Sequence, residues 1–308
     1  MEDVGKNMQA MLNRRNYQTR YQEMMAEVLQ DADVKIFLAK HQAQLSTADI
    51  EKSYAKLYEF VQEKKKFQEN DPHQIAQGYE PQLTLNHHYV DVTYIPTQAL
   101  LERKQYEEIK NRIRTIEMPK DIKNATMQSV FNSVEREEAL FETMKFIKDY
   151  TNAPHEFHKA LYLAGDFGVG KTYLLGAMAN ELAKRGIHST LVHFPTFSSQ
   201  IKSAIANNTV NEKLEAVKKA QVLILDDVGA EAITSWTRDE IFGVILQYRM
   251  QEQLPTFFTS NLEMRMFEEH LRVTKNADEP LKAKRLMERV RYLAKEIIMS
   301  GENLRNKE

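Results

Sequence analysis

The chain has 308 residues and a formal net charge of −2, so no overall basic excess predicts nucleic-acid binding, and any such surface must be local. It contains no cysteine, which excludes disulfides, thiolate metal sites and a cysteine nucleophile. No apolar run is long enough to span a membrane, and the start lacks a charged-then-apolar signal pattern. We therefore expect a cytoplasmic protein without membrane contact.

Helical periodicity dominates the N-terminal part of the chain. Within residues 1–66, Ser46 and Asp49 resemble a capping box that opens one of several helices. Residues 98–125 are charged and helix-prone, and residues 131–150 have the pattern of an amphipathic helix. These patterns predict a small, mainly helical N-terminal domain.

A β-hairpin is predicted between these helical segments, because apolar and polar residues alternate in 83–85 and 89–94. His87 and His88 lie in its turn, and with His73 they raise the hypothesis of a metal site. Polar loop histidines are the commoner case, and the chain offers no cysteine ligand. Zinc is therefore not expected.

From residue 160 onward, strand and helix signals alternate, which predicts an α/β fold with a parallel sheet and helices on both faces. Strands are expected at 160–164, 189–194, 222–227, 256–261 and 296–299. Helices are expected at 173–185, 197–205, 210–220, 236–253 and 281–293.

The first of these strands leads into a phosphate-binding loop, since Gly165 to Thr172 reads G-x-x-x-x-G-K-T between a strand and a helix. Its glycines let backbone N–H groups surround an anion at the positive end of the following helix. Lys171 is expected to contact the β- and γ-phosphates of ATP, and the hydroxyl of Thr172 to bind Mg²⁺. The loop therefore predicts a nucleotide site for ATP or ADP with Mg²⁺.

Two further strands are expected to bring acids and an amide to this loop, because ligands bind at the carboxyl ends of strands in open α/β sheets. Asp226 would complete the Mg²⁺ site, and Asp227 would polarise the attacking water, with Glu231 as an alternative base. Asn261 would position that water from a strand lying between the other two, which favours ATP hydrolysis over phosphoryl transfer to a small molecule. The residues expected to bind the nucleotide are Gly165, Asp166, Phe167, Gly168, Val169, Gly170, Lys171, Thr172, Tyr173 and Asp226.

A cluster of cations precedes the last predicted strand. Arg289 is the candidate arginine finger that would reach the γ-phosphate bound to a neighbouring subunit, with Arg285 as the alternative. The predicted catalytic set is thus Lys171, Asp227, Asn261 and Arg289. A single-stranded DNA site is expected to use Lys282, Lys284, Arg285 and Arg291.

Taken together, these segments resemble the AAA+ family, and within it the bacterial helicase loaders of the DnaC/DnaI type. Besides the loop, the resemblance rests on 225–231, 236–240, 254–261 and 301–305. It implies that residues 1–105 bind the hexameric replicative helicase, that 106–125 form a linker, and that 126–308 form an AAA+ ATPase domain. The implied role is ATP-dependent loading of the helicase onto single-stranded DNA during primosome assembly, with self-association through the ATPase domain.

The sequence departs from the family pattern in two respects. Several relatives carry a zinc-binding N-terminal module with cysteine ligands, which this chain lacks. The helical lid of AAA+ proteins is not expected, because the chain ends at Glu308 shortly after the last predicted strand. ATPase activity is therefore expected to be weak in the isolated chain. Two alternatives stay open, namely a nucleotide-gated adaptor with little hydrolysis and a transposition helper ATPase.

Overall fold

This computed structural model describes residues 19–119, 121–130, 133–205, 207–274 and 277–304. The chain divides into two compact units between Gln105 and Tyr106. Within the described ranges, every helix is too short or too polar to cross a membrane.

In its described part, the first unit packs helices against a hairpin. The helices are α1, which includes residues 19–30, α2 (Ala32–Lys40), α3 (Thr47–Lys52) and α4 (Tyr54–Gln68). The predicted capping box is confirmed, since the Ser46 hydroxyl accepts from the Asp49 N–H and the Asp49 carboxylate accepts from the Ser46 N–H. The core of the unit consists of Met25, Val28, Val34, Leu45, Leu57, Phe60 and Val90.

The predicted hairpin is also confirmed, as β1 (Tyr79–Asn86) pairs antiparallel with β2 (Tyr89–Pro96). His87 occupies its turn with a φ of 55°, and the ring of His88 contacts the Gln44 carbonyl oxygen. Among the described residues, no three metal-ligating side chains gather in one place. His73, His87 and His88 therefore do not come together as a set of three ligands in the described part of the chain.

The segment 98–125 is not one helix. α5 (Gln98–Asn111) ends early, and β3 (Ile113–Ile116) follows it as an edge strand parallel to a later strand. The helical prediction for 113–116 is therefore wrong, and part of the predicted linker contributes to the sheet. Its short apolar–polar pattern fits either structure, and pairing with residues distant in sequence selects the strand.

The second unit is built on a parallel sheet with the order β10-β4-β7-β6-β5-β3. Its strands are β4 (Ala160–Ala164), β5 (Ser189–His193), β6 (Val222–Asp226), β7 (Thr256–Ser260) and β10 (Ala294–Ile298), with β3 at the edge. The predicted position of the strand before Asn261, between the loop strand and the acid strand, is confirmed.

Helices cover both faces of this sheet, as predicted. Alternate residues of β4 join two separate cores, with Leu161 and Leu163 in one and Tyr162 and Ala164 in the other. The helices are α6 (Glu137–Asn152), α7 (Lys171–Lys184), α8 (Phe194–Ala204), α9 (Val210–Lys218), α10 (Gly243–Gln251), α11 (Met264–Arg272) and α12 (Pro280–Leu293).

Three details differ from the predicted elements. The predicted helix 131–150 begins as α6 at Glu137, and its first two residues lie outside the described ranges. α10 is preceded by a π-helical turn at Thr237–Phe242. The sequence prediction missed α11 and the short pair β8 (Val273–Thr274) and β9 (Ala277–Asp278).

Candidate functional site

The phosphate loop connects β4 to α7 and adopts a conformation that requires glycine. α7 begins at Lys171, directly after Gly170, whose φ of 93° is in the left-handed region. Gly165 is required by close packing, because a Cβ there would lie 1.9 Å from the Met299 carbonyl oxygen. Beside the loop lies a cavity of about 630 Å³, and the exposed ring of Phe167 stands on its wall. This volume suits a ligand of nucleotide size.

Lys171 is buried at the floor of this cavity, with 8% of its surface exposed. Its ammonium donates to the backbone carbonyls of Gly165 at 2.6 Å and Asp166 at 2.8 Å, and to Oδ1 of Asn261 at 2.9 Å. The loop thus holds a positive charge inside its own turn. A bound phosphate would compete with these neutral oxygens for the ammonium.

Asp226 and Thr172 meet at the carboxyl end of β6. The Thr172 hydroxyl donates to Oδ1 of Asp226 at 2.6 Å, and the Thr259 hydroxyl donates to the same oxygen at 2.7 Å. Burial raises the pKa of Asp226 above its usual range, against the effect of the two hydroxyls. Hard cations prefer oxygen ligands, and Mg²⁺ usually needs only one or two from the protein. The Thr172 and Asp226 oxygens therefore fit a Mg²⁺ ion.

Asp227 and Asn261 are neighbouring residues that line the same cavity. Asp227 has a φ of 59°, and its N–H donates to the Thr259 hydroxyl at 2.9 Å. Nδ2 of Asn261 donates to Oδ1 of Asp227 at 3.1 Å, while the other end of the same amide accepts from Lys171. The amide of Asn261 therefore links the cation of the loop to the carboxylate that faces the cavity.

Glu231, the alternative base, is placed differently. It is buried, its Oε2 accepts from the Gly229 N–H at 2.8 Å, and burial raises its pKa. It is not among the residues that line the cavity. The geometry therefore favours Asp227 over Glu231 for contact with a water molecule in the cavity.

His193 is a cavity residue that the sequence reasoning missed. It ends β5 beside Asp226, its Nδ1 is 2.8 Å from the Thr196 hydroxyl, and its Nε2 is 3.9 Å from Oδ2 of Asp227. The signal that pointed to Asn261, a polar residue at the carboxyl end of a buried strand, was present here as well.

A set of apolar residues that line the cavity was also missed. It comprises Pro119, Ile122, Val130, Leu140 and Leu304. These residues lie far from the loop in sequence and carry no nucleotide-binding pattern, so only the tertiary structure brings them together.

The predicted arginine finger lies on α12, outside the residues that line the cavity. Nη1 of Arg289 donates to the Gly243 carbonyl at 3.2 Å, and burial, with a smaller effect of the nearby Arg285, lowers its pKa. Arg285 itself is exposed. A contact of either arginine with a neighbouring subunit stays a prediction.

Two of the four cations predicted to bind DNA are engaged in ion pairs. Lys282 pairs with Asp239 and Glu279, and Arg291 pairs with Glu268. These pairs reduce the positive charge that α12 presents to solvent.

Known families match both parts of the chain. Residues 1–94 match the family described as "Primosomal protein DnaI N-terminus", and residues 88–308 match "IstB-like ATP binding protein". The replicative helicase loader DnaI of Bacillus subtilis (strain 168) is 37% identical over 312 aligned residues, which cover 99% of this chain and 100% of the relative.

Two solved structures are similar to part of this chain. A DnaI crystal structure has a TM-score of 0.55 and 44% identity, covering 64% of this chain and 98% of its own. The DnaC helicase loader has a TM-score of 0.50 at 22% identity, covering 59% of this chain and 100% of its own, and shows that the fold is shared.

The fold, the loop and these matches agree with one another. The predicted AAA+ α/β fold with a smaller helical unit carrying a hairpin is confirmed, as is the resemblance to bacterial helicase loaders. The second unit matches an ATP-binding family over its whole length. The chain belongs to the family of the replicative helicase loader DnaI.

Proposed function

We propose that this protein is an ATP-dependent loader of the hexameric replicative DNA helicase, acting on single-stranded DNA in the cytoplasm during primosome assembly at initiation and restart. The observation that carries the proposal is the similarity to the Bacillus subtilis replicative helicase loader along both proteins, at 37% identity over 99% of this chain. A relative matched end to end supports a shared role better than a shared ATPase domain would.

Helicase binding is assigned to residues 1–105 in this proposal, with ATP hydrolysis in 126–308. The first part matches a family named for a primosomal protein and has a hydrophobic core of its own. It also exposes large apolar side chains, among them Ile36, Ile75 and Tyr89, which suit a protein partner.

The geometry of the cavity supports the proposal of ATP hydrolysis. Lys171 would exchange its carbonyl partners for the β- and γ-phosphates, where its charge offsets the developing negative charge. Mg²⁺ held by Thr172 and Asp226 would neutralise the same phosphates. Asp227 would accept a hydrogen bond from a water molecule and then take its proton. At the same time the water oxygen would attack the γ-phosphorus, and the bond between the γ-phosphorus and the leaving ADP would break. Asn261 would hold Asp227 in place for this step.

Arg289, or the more exposed Arg285, would complete the site of a neighbouring copy in this scheme. The isolated chain would then hydrolyse ATP slowly, because the cation that stabilises the transition state comes from another subunit. Self-association through the ATPase domain is part of the same proposal.

A transposition helper ATPase is the second candidate, and one observation favours it: residues 88–308 match the IstB-like family. The match of residues 1–94 to a primosomal N-terminus weighs against it, because a transposition helper has another partner to bind. A nucleotide-gated adaptor that scarcely hydrolyses ATP is distinguished by the Asp227 substitution discussed below.

We expect the full-length protein to co-purify with the replicative helicase of the same organism, whereas residues 106–308 alone should not retain it. The physical reason is that the proposed binding module, with its own core, is then missing. Size-exclusion chromatography of the mixed proteins measures this directly. Equal retention by the truncated chain would place the binding surface in the second unit, and no retention by the full chain would argue against helicase loading.

Single-stranded DNA binding is proposed for the surface that carries Lys284 and Arg285, since Lys282 and Arg291 are paired with acids. We expect the affinity of the full-length protein for a single-stranded oligonucleotide to fall steeply between 50 and 200 mM salt, by about tenfold or more. Fluorescence anisotropy at several salt concentrations measures this. Binding that is absent, or unaffected by salt, would contradict the proposal.

A further inference from the structure

Residues 299–304, called here the C-terminal segment, lie across the phosphate loop. At one end, the Met299 N–H donates to the Ala164 carbonyl at 2.7 Å, which continues the pairing of β10 with β4. At the other end, the Leu304 N–H donates to the Gly168 carbonyl at 2.9 Å. The segment is therefore hydrogen-bonded to the strand before the loop and to the loop itself.

Two loop glycines pack closely against this segment. A Cβ on Gly165 would lie 1.9 Å from the Met299 carbonyl oxygen, and one on Gly168 would lie 2.0 Å from Oδ1 of Asn303. The G-x-x-x-x-G-K-T pattern does not demand glycine at position 168. Close packing against the side chain of Asn303, together with a φ of 79°, explains this glycine.

Arg136 also contacts the C-terminal segment. It is buried with 2% of its surface exposed, and it lines the same cavity. Its Nη2 donates to the Glu302 carbonyl at 3.0 Å, and its guanidinium lies against Gly301. This hydrogen bond from a buried, charged side chain helps to fix the position of the segment's backbone.

Leu304 brings an apolar side chain to the cavity, directly beside the phosphate loop. It is half-buried, and its Cδ1 would be 3.6 Å from a Cβ on Gly170. Pro119, Ile122 and Val130 are further uncharged residues that line this cavity. A flat heteroaromatic base is the part of a nucleotide that gains from such residues, since apolar lining provides most of the contact in small-molecule sites.

We propose that the C-terminal segment is part of the nucleotide site, with Leu304 packing against the base while its backbone and Asn303 fix the shape of the phosphate loop. The inference rests on the proposed ATP binding and adds which residues contact the base. The segment would then contribute to nucleotide specificity, because a ligand with phosphates and no base would make no contact with Leu304.

Leu304→Ala in the full-length protein separates these contributions. We expect its Kd for ATP and for ADP to rise by about five- to tenfold, since the variant loses apolar contact with the base. Its Kd for inorganic tripolyphosphate, which has no base, should stay within about twofold of wild type. Isothermal titration calorimetry with each of the three ligands measures these values, and Leu304→Met should restore ATP affinity because it keeps an apolar side chain of similar volume.

Ile298→Ala is the matched control, because Ile298 lies on the neighbouring strand β10 with an exposed side chain and does not line the cavity. It should bind all three ligands as wild type does. An unchanged ATP affinity in Leu304→Ala would overturn the inference, as would an equal loss for ATP and tripolyphosphate. If the wild-type chain itself fails to bind ATP, the proposed function is overturned instead. Thermal unfolding without ligand shows whether each variant is folded, and Leu304→Met provides the decisive comparison if the alanine variant is not.

Discussion

Asp227→Asn is expected to lower kcat for ATP hydrolysis by about 10²–10⁴-fold, the usual contribution of a positioned general base. Asp227 faces the cavity, and its carboxylate is held by the Asn261 amide. Asparagine has nearly the same shape but cannot accept a proton. The Kd for ATP should change little, because Asp227 is assigned no contact with the phosphates. Phosphate release under single-turnover conditions, with ATP binding measured separately, tests both parts.

Glu231→Gln is the informative comparison. Glu231 is buried and accepts from the Gly229 N–H, so its replacement should lower kcat far less than the change at Asp227. A large loss in Glu231→Gln with little loss in Asp227→Asn would assign the base to Glu231. If Asp227→Asn left both phosphate release and helicase loading unchanged, the protein would be a nucleotide-gated adaptor rather than a hydrolytic loader.

Arg249→Met is expected to lower the free energy of unfolding by about 2–4 kcal/mol, because buried acceptors lose a charged donor at a cost of about 1–3 kcal/mol each. Arg249 lies on α10, and its completely buried side chain reaches the start of β7. Its guanidinium donates to the Thr256 hydroxyl and to the backbone carbonyls of Lys218, Ala220 and Pro255. Methionine fills much of the volume but removes these four hydrogen bonds, after which the Pro255 carbonyl still accepts from the Leu223 N–H. Urea unfolding at neutral pH measures the loss.

Arg185→Met controls for the loss of an arginine as such. Arg185 is more exposed and pairs with Glu181 four residues earlier on the same helix, an arrangement worth about 0.3–0.5 kcal/mol. Its replacement should therefore change the free energy of unfolding by less than about 1 kcal/mol. A similarly small effect at Arg249 would mean that water replaces the lost hydrogen bonds, and that the buried guanidinium is not what holds α9, α10 and β7 together.

The hydrogen bonds of Arg249 and the edge strand β3 could not be predicted from the sequence, and the reason is the same for both. Arg249 bonds to carbonyls that lie about 30 residues earlier, and β3 is a strand only because β5 lies beside it. α11 was missed for a different reason. Met264, Phe267 and Leu271 have helical spacing and are buried, so that signal was available.

The residues of the candidate site that belong to contiguous patterns could be predicted from the sequence alone. The phosphate loop is a contiguous pattern flanked by a strand and a helix, and Asp226, Asp227 and Asn261 each follow a buried apolar strand. Because parallel strands end at the same edge of a sheet, these positions could be placed together before any coordinates. The overall fold followed from the alternation of strand and helix signals, which depends only on local periodicity.

The remaining residues that line the cavity could be identified only from the folded chain. His193, Arg136 and the C-terminal segment reach the loop from parts of the chain that carry no nucleotide-binding pattern. The tertiary structure also favoured Asp227 over Glu231, since the two acids differ in burial and hydrogen bonding rather than in spacing. Local patterns specify which residues can meet a phosphate, whereas contacts between distant segments specify which side chains surround the rest of the ligand.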